Sequence, residues 1–179
     1  MAIAEKTGAA HHRMDSDMAD YSGSDGDDAE ALSRDNFPVR SMRSDDLDAL
    51  IRIDAKLTGH NRREYFQAKL AEVMIETGVR VSLVAEIDDH PAGFIMGRVD
   101  FGEFGRTETT AVIDTFGVDP GHGHRGIAHA LLSQLTINLG ALHVERIRTM
   151  VGWNNHQLLG FLEHQGFRPA QQLVLSMKI

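Results

Sequence analysis

The sequence predicts an α/β fold, α+β in that its twisted sheet is mixed and flanked by helices, and three patterns carry the prediction. Val81, Leu83, Ala85 and Ile87 alternate, Asp88-Asp89-His90-Pro91 turns, and Gly93 to Val99 returns, which reads as a hairpin. Phe66, Leu70, Val73 and Met74 recur at helical spacing. A glycine-rich turn from Gly121 to Ala128 joins an apolar strand to an apolar-faced helix.

Taken in order, residues 1 to 36 are rich in Asp, Ser, Gly and Ala, so ordering them would bury too little surface to offset the entropy lost. They read as a flexible acidic tail. Its Asp20 to Asp25 run fails as a calcium loop, because Asp25 stands where glycine is needed and Ala31 where glutamate is needed. The domain, residues 37 to 179, opens with a short strand, Phe37 to Met42. Ser44, Asp45 and Asp46 then form an N-cap signal for a helix through Leu47, Leu50 and Ile51. A second helix runs from about Arg63 to Glu76, with Gly78 past its end. After the hairpin, a loop from Gly102 to Arg106 leads to a strand, Ala111 to Val118. Beyond the glycine turn come a helix from about Gly126 to Leu139, a strand around Arg146 to Val151, a helix from about His156 to Gln165 and a last strand around Leu173 to Met177. The expected order is β-α-α-β-β-β-α-β-α-β.

The chain has 179 residues and a formal charge of -8, of which the tail holds nine acidic side chains against Lys6, Arg13 and Arg34. A near-neutral body without a basic stripe argues against nucleic acid as a partner. No stretch approaches the roughly 20 apolar residues that span a bilayer. There is no cysteine and the start lacks the apolar core of a signal peptide, so the expected compartment is the cytoplasm.

The turn suits an anion. The first N–H groups of a helix have no internal partner and lie at the positive end of its dipole, and glycines let an oxyanion approach backbone. Gly121, Gly123 and Gly126 also match the dinucleotide fingerprint G-x-G-x-x-G, so a nicotinamide-binding domain is a rival. That fold wants βαβ repeats and an acidic residue closing the next strand; here Glu145 precedes its strand and hairpins come first.

At Val118-x-Pro120 followed by Arg125-Gly126-Ile127-Ala128, and again from Asn155 through Leu158, Phe161 and Leu162 to Gly166-Phe167, the chain resembles the GNAT N-acetyltransferases. The resemblance spans roughly Phe37 to Ile179. It implies a GNAT-like sheet and acetyl-coenzyme A as cosubstrate, with Gly123, His124, Arg125, Gly126, Ile127 and Ala128 around the pyrophosphate. It also implies that Phe116, Gly117 and Val118 lend backbone to the pantetheine arm, which Asn155 contacts as well; a helix N-cap is the other role open to Asn155. Two positions depart from the family pattern: Gly123 stands where Arg or Gln leads, and Leu162 stands where many members have a Tyr that protonates the departing thiolate.

The attacking amine must be unprotonated, so a group or a held water has to accept a proton. Asp114 is the candidate base, on the reading that Asp114, Phe116 and Val118 share one face by period 2. Glu103 and Glu108 are alternatives, and with Asp100 they suggest a cationic acceptor. No metal is expected at His122 and His124, since two ligands on a turn are too few. Trp153 reads as a packing residue and Tyr65 as half-buried packing on its helix. The resemblance places the first two helices, with Thr58 to Arg63 between them, as one wall of an acceptor pocket. The expected activity is direct acetyl transfer to a primary amine, of a small molecule or a protein; an acyl-coenzyme A binding module without turnover is the alternative. A homodimer is left open.

Overall fold

The computed structural model describes residues 37 to 75, 81 to 100, 108 to 171 and 174 to 178. The acidic tail, Gly78, the Gly102 to Arg106 loop with Glu103, and Leu173 lie outside the described residues, as do the side chains of Val73 and Met74. Five strands form one sheet in the order β1-β2-β3-β4-β5: β1 (Val39–Ser41), β2 (Leu83–Ile87), β3 (His90–Asp100), β4 (Thr110–Val118) and β5 (Arg146–Thr149). Neighbours from β1 to β4 are antiparallel and β4 with β5 is parallel, so the sheet is mixed as expected. This order excludes the repeated βαβ units of a dinucleotide fold.

Helices α1 (Leu47–Thr58) and α2 (Arg63–Ile75) cover one face, and α3 (Ile127–Ala141) and α4 (His156–His164) the other. Sheet alternation divides the core. Val84, Phe94 and Met96 pack with Leu50, Ile53 and Phe66 of α1 and α2, whereas Leu83, Ala85 and Ile95 pack with Ile127, Leu131 and Leu135 of α3. Because the middles of β2 and β3 are covered on both faces, Leu83 to Ala85 and Phe94 to Met96 form continuous apolar runs. The β2–β3 turn places Asp88 and Asp89 at φ 49° and 61°, the two left-handed residues that match the twist of a tight hairpin.

Local details sharpen the reading. A 3₁₀ turn, Ser44–Asp46, precedes α1, and the carboxylate that accepts from the chain at its start is Asp46, from the Arg43 N–H at 2.7 Å, rather than Ser44. Helix α1 stops at Gly59 (φ 75°), whose N–H donates to Ala55 O. Gly93 is required by packing: a Cβ there would lie 2.8 Å from Ile127 Cγ2 and 3.2 Å from Leu131 Cδ1, so its absence lets the start of α3 rest on β3. The last expected strand does not form among the described residues. Val174, Leu175 and Met177 are exposed and belong to no strand, so they bury no apolar surface to offset the entropy of ordering one. No helix among the described residues is long and apolar enough to cross a membrane.

Candidate active site at the strand split

β4 pairs with β3 along its whole length but with β5 only from Thr110↔Arg146 to Ile113↔Thr149. The Thr149 hydroxyl donates to Ile113 O at 3.0 Å and closes the parallel pair at that point. Beyond it β4 runs on from Asp114 to Val118 without β5, still paired with β3 on its other edge, which opens a cleft between β4 and β5. Asp114 shows the opening: the residue is exposed although its side chain is only 20% exposed, so the backbone carries the exposure. An apolar pocket lies along the split, lined by Ile113, Phe116, Thr149, Leu158, Phe161 and Leu162 among others. Phe116 stacks on Phe161 with centroids 5.8 Å apart. Leu162 is buried there, and no hydroxyl stands at its position.

The expectation that Asp114 shares a face with Phe116 and Val118 is corrected. Met96 pairs with Thr115 and the next β3 residue, Gly97, pairs with Ile113, so Asp114 is the extra residue of a β-bulge. Two successive side chains, Asp114 and Thr115, therefore turn toward α2, while Ile113, Phe116 and Val118 face α3. Asp114 pairs with Arg98 and lies 3.7 Å from Lys69 Nζ. These contacts favour the cations: the Asp114 hydrogen bond raises the Arg98 guanidinium, and Glu72 first, with Asp114 adding, raises the Lys69 ammonium. The Thr115 hydroxyl is 2.7 Å from that of Tyr65. Tyr65 thus reaches the bulge as well as packing edge-on against Phe66.

Past Val118 the chain enters the glycine turn. The Asp119 N–H donates to Ala92 O at 2.8 Å, a 3₁₀ turn (Pro120–His122) follows, and His124 and Gly126 take positive φ, 59° and 88°. The first α3 bond runs from the Ala130 N–H to Gly126 O, which leaves the Ile127 and Ala128 N–H groups ahead of it at the helix end. A Cβ added at Gly121 or Gly123 would meet the protein only at 3.4 or 3.5 Å. Crowding within the chain therefore does not demand glycine at these two positions of the turn. His124 and Arg125 are exposed beside it. Gly117 is different: a Cβ there would sit 3.0 Å from Leu57 Cδ1 and from the Phe94 ring, so packing against α1 explains it.

Other candidates are placed elsewhere. Asn155 caps α4, its Oδ1 accepting from the Leu158 N–H at 3.1 Å. Glu108 pairs with Arg146, and Asp100 with Arg98 and Arg148, so both carboxylates already face cations. Trp153 is 91% exposed in the turn after β5, not packed, because the strand ends at Thr149, four residues earlier. Among the described residues no cluster of three or more His, Cys, Asp or Glu could hold a metal.

Sequence reasoning missed Lys56, which comes from α1 to Asp119 Oδ2 at 2.7 Å, along with Arg98, Lys69 and Thr115. Nothing local marks Lys56, since its partner is 63 residues away. Burial opposes ionisation of Asp119, but Lys56 and the Gly121 N–H outweigh it and hold the carboxyl below its usual range.

The model of the acetyltransferase (GNAT) family matches residues 47 to 167. Among solved structures, the chain is similar to a transcriptional regulator from Bacillus halodurans (15% identity, 80% of this chain and 99% of that one, TM-score 0.69). It is also similar to the aminoglycoside N-acetyltransferase AAC(6')-Iy in complex with CoA (14% identity, 79% and 94%, TM-score 0.68) and to a possible acetyltransferase from Clostridium difficile (17% identity, 80% and 97%, TM-score 0.67).

Proposed function

The chain belongs to the acetyltransferase (GNAT) family, and from that premise we propose that it moves an acetyl group from acetyl-coenzyme A to a primary amine by direct attack. The observation that carries the reading is the continuity of the split with the turn: the length of β4 unpaired by β5 leads straight into a glycine-lined helix N-terminus. Backbone of Phe116 to Val118 would hold the pantetheine arm, and Gly123 to Ala128 with Arg125 the pyrophosphate. The thioester supplies an activated acetyl carbon. The amine nitrogen bonds to that carbon, the C–S bond breaks, and the sulfur leaves with the bonding pair.

Asp114, at the bulge where the strands part, takes the proton shed by the amine, directly or through water. The leaving thiolate needs little help: a thiol of pKa about 8.5 is a tolerable leaving group at neutral pH, so solvent serves where Leu162 offers no hydroxyl. Asp114→Asn should lower kcat about 100-fold with affinity for coenzyme A unchanged, and an unaltered kcat across pH removes Asp114 as the base.

Coenzyme A at 100 times its Kd should stabilise the protein by about 2.7 kcal/mol in a thermal-shift measurement, and NAD should not. Stabilisation by NAD instead would overturn the assignment of the turn. A binding module without turnover is the second reading, favoured by Leu162 and by the cations already on Asp114. Thiol release over a panel of amines separates the two; aminoglycosides head the panel, since one of the similar structures is an N-acetyltransferase of that class. Tight binding of coenzyme A with no release on any amine would favour the module.

A further inference from the structure

We propose that Asp119 and Lys56 are positioning residues for the cofactor turn, clamping its start between the sheet and α1 so that its backbone donors are preset; this rests on the coenzyme A reading above. Asp119 caps the 3₁₀ turn, Pro120–His122, that opens the cofactor turn, and is only 5% exposed. It is held on three sides. Its N–H donates to Ala92 O on β3 (2.8 Å), Oδ1 accepts from the Gly121 N–H (3.0 Å), and Oδ2 accepts from Lys56 Nζ (2.7 Å). The neighbour of Lys56, Leu57, lies against the β4 backbone at Gly117, so α1 grips both the last of β4 and the first of the turn.

The chemistry of the turn makes such a clamp useful. Gly121, Gly123 and Gly126 give the segment wide backbone freedom, and no side chain at Gly123 fixes it to an anion. Donors that must be ordered on binding lose affinity to that ordering; donors already held do not. A buried carboxylate near the place of a pyrophosphate would also repel it, and the Lys56 ammonium cancels that charge.

Positioning and simple electrostatics predict opposite signs for one variant. Asp119→Asn removes a negative charge beside the phosphates, so electrostatics alone tightens coenzyme A. Loss of the clamp weakens it, and the expected result is about a 10-fold rise in Kd for coenzyme A by calorimetry, matched by a rise in KM for acetyl-coenzyme A. Lys56→Met, at a half-exposed site that tolerates change, should weaken binding similarly, and Lys56→Arg should restore it. Equal or tighter binding by Asp119→Asn, or failure of Lys56→Arg to restore what Lys56→Met loses, overturns the clamp while leaving the coenzyme A reading intact. A parent protein that binds no coenzyme A overturns both.

Discussion

Replacing Arg40 with alanine should destabilise the domain by about 4 kcal/mol at pH 7, lowering Tm by roughly 8–16 °C. Arg40 on β1 sits between two carboxylates, with its side chain donating to both oxygens of Asp46 (2.7 and 2.8 Å) and to Glu86 Oε1 on β2 (2.7 Å). Asp46 is 3% exposed. Its removal from water is tolerable only because the guanidinium meets it in a planar, two-pronged contact. Without Arg40 a buried charge is left with little beyond the Arg43 N–H, and Glu86 loses its partner as well.

The same variant carries a pH signature. Burial pushes the Asp46 carboxyl up, but Arg40 and then the Arg43 N–H outweigh it and hold it below the usual range. A depressed folded pKa stabilises above the unfolded value of about 3.9 and is lost as pH falls through the folded pKa. In Arg40→Ala burial prevails, so the charged form is penalised and the deficit is greatest at neutral pH. Urea melts at pH 7 and at falling pH should show the gap from the parent narrowing in acid, as protonation removes the buried Asp46 charge that the variant leaves without its partner. A gap independent of pH would remove the charge as its cause. Arg40→Ala with Asp46→Asn should fall short of the summed single losses, since the two side chains share one contact.

Arg62→Ala should cost about 3 kcal/mol, near the lower end for a broken buried pair, because Arg62 is 41% exposed and water can reach the carboxylate it leaves. Asp54 on α1 is itself 3% exposed and takes both prongs of the guanidinium. The arginine also lies over the rings of Tyr65 and Phe66, 5.1 and 5.7 Å from their centroids. One side chain thus ties the α1–α2 connection to both helices. Lysine cannot reproduce the fork or the ring contact, so Arg62→Lys should recover less than half of the loss in chemical denaturation. Full recovery by lysine would mean that charge alone matters at this position.

The hairpin, the helices over Phe66 and Leu131, and the glycine turn were legible because each depends on neighbours in the chain: a period of 2 or 3.6, a cap, a positive φ. The same patterns also misled, at Ser44 and at the last expected strand as well as at Asp114. Period 2 put Asp114 on the side of Phe116, and only the pairing of β4 with Met96 and Gly97 reveals the bulge that turns it toward α2. Trp153 read as packing near the end of its strand, yet the early end of β5 leaves it in solvent.

The turn from Gly121 to Ala128 and the helix after it are thus a property of the sequence itself, written in glycines and in the register of Ile127, Leu131 and Leu135. What stands around them was decided by the tertiary structure. The end of the β4–β5 ladder at Thr149, the meeting of Tyr65 with Thr115 and the bridge from Lys56 to Asp119 each join residues 36 to 63 positions apart. Such contacts depend on strand register and helix docking, which the whole core determines and no local pattern encodes.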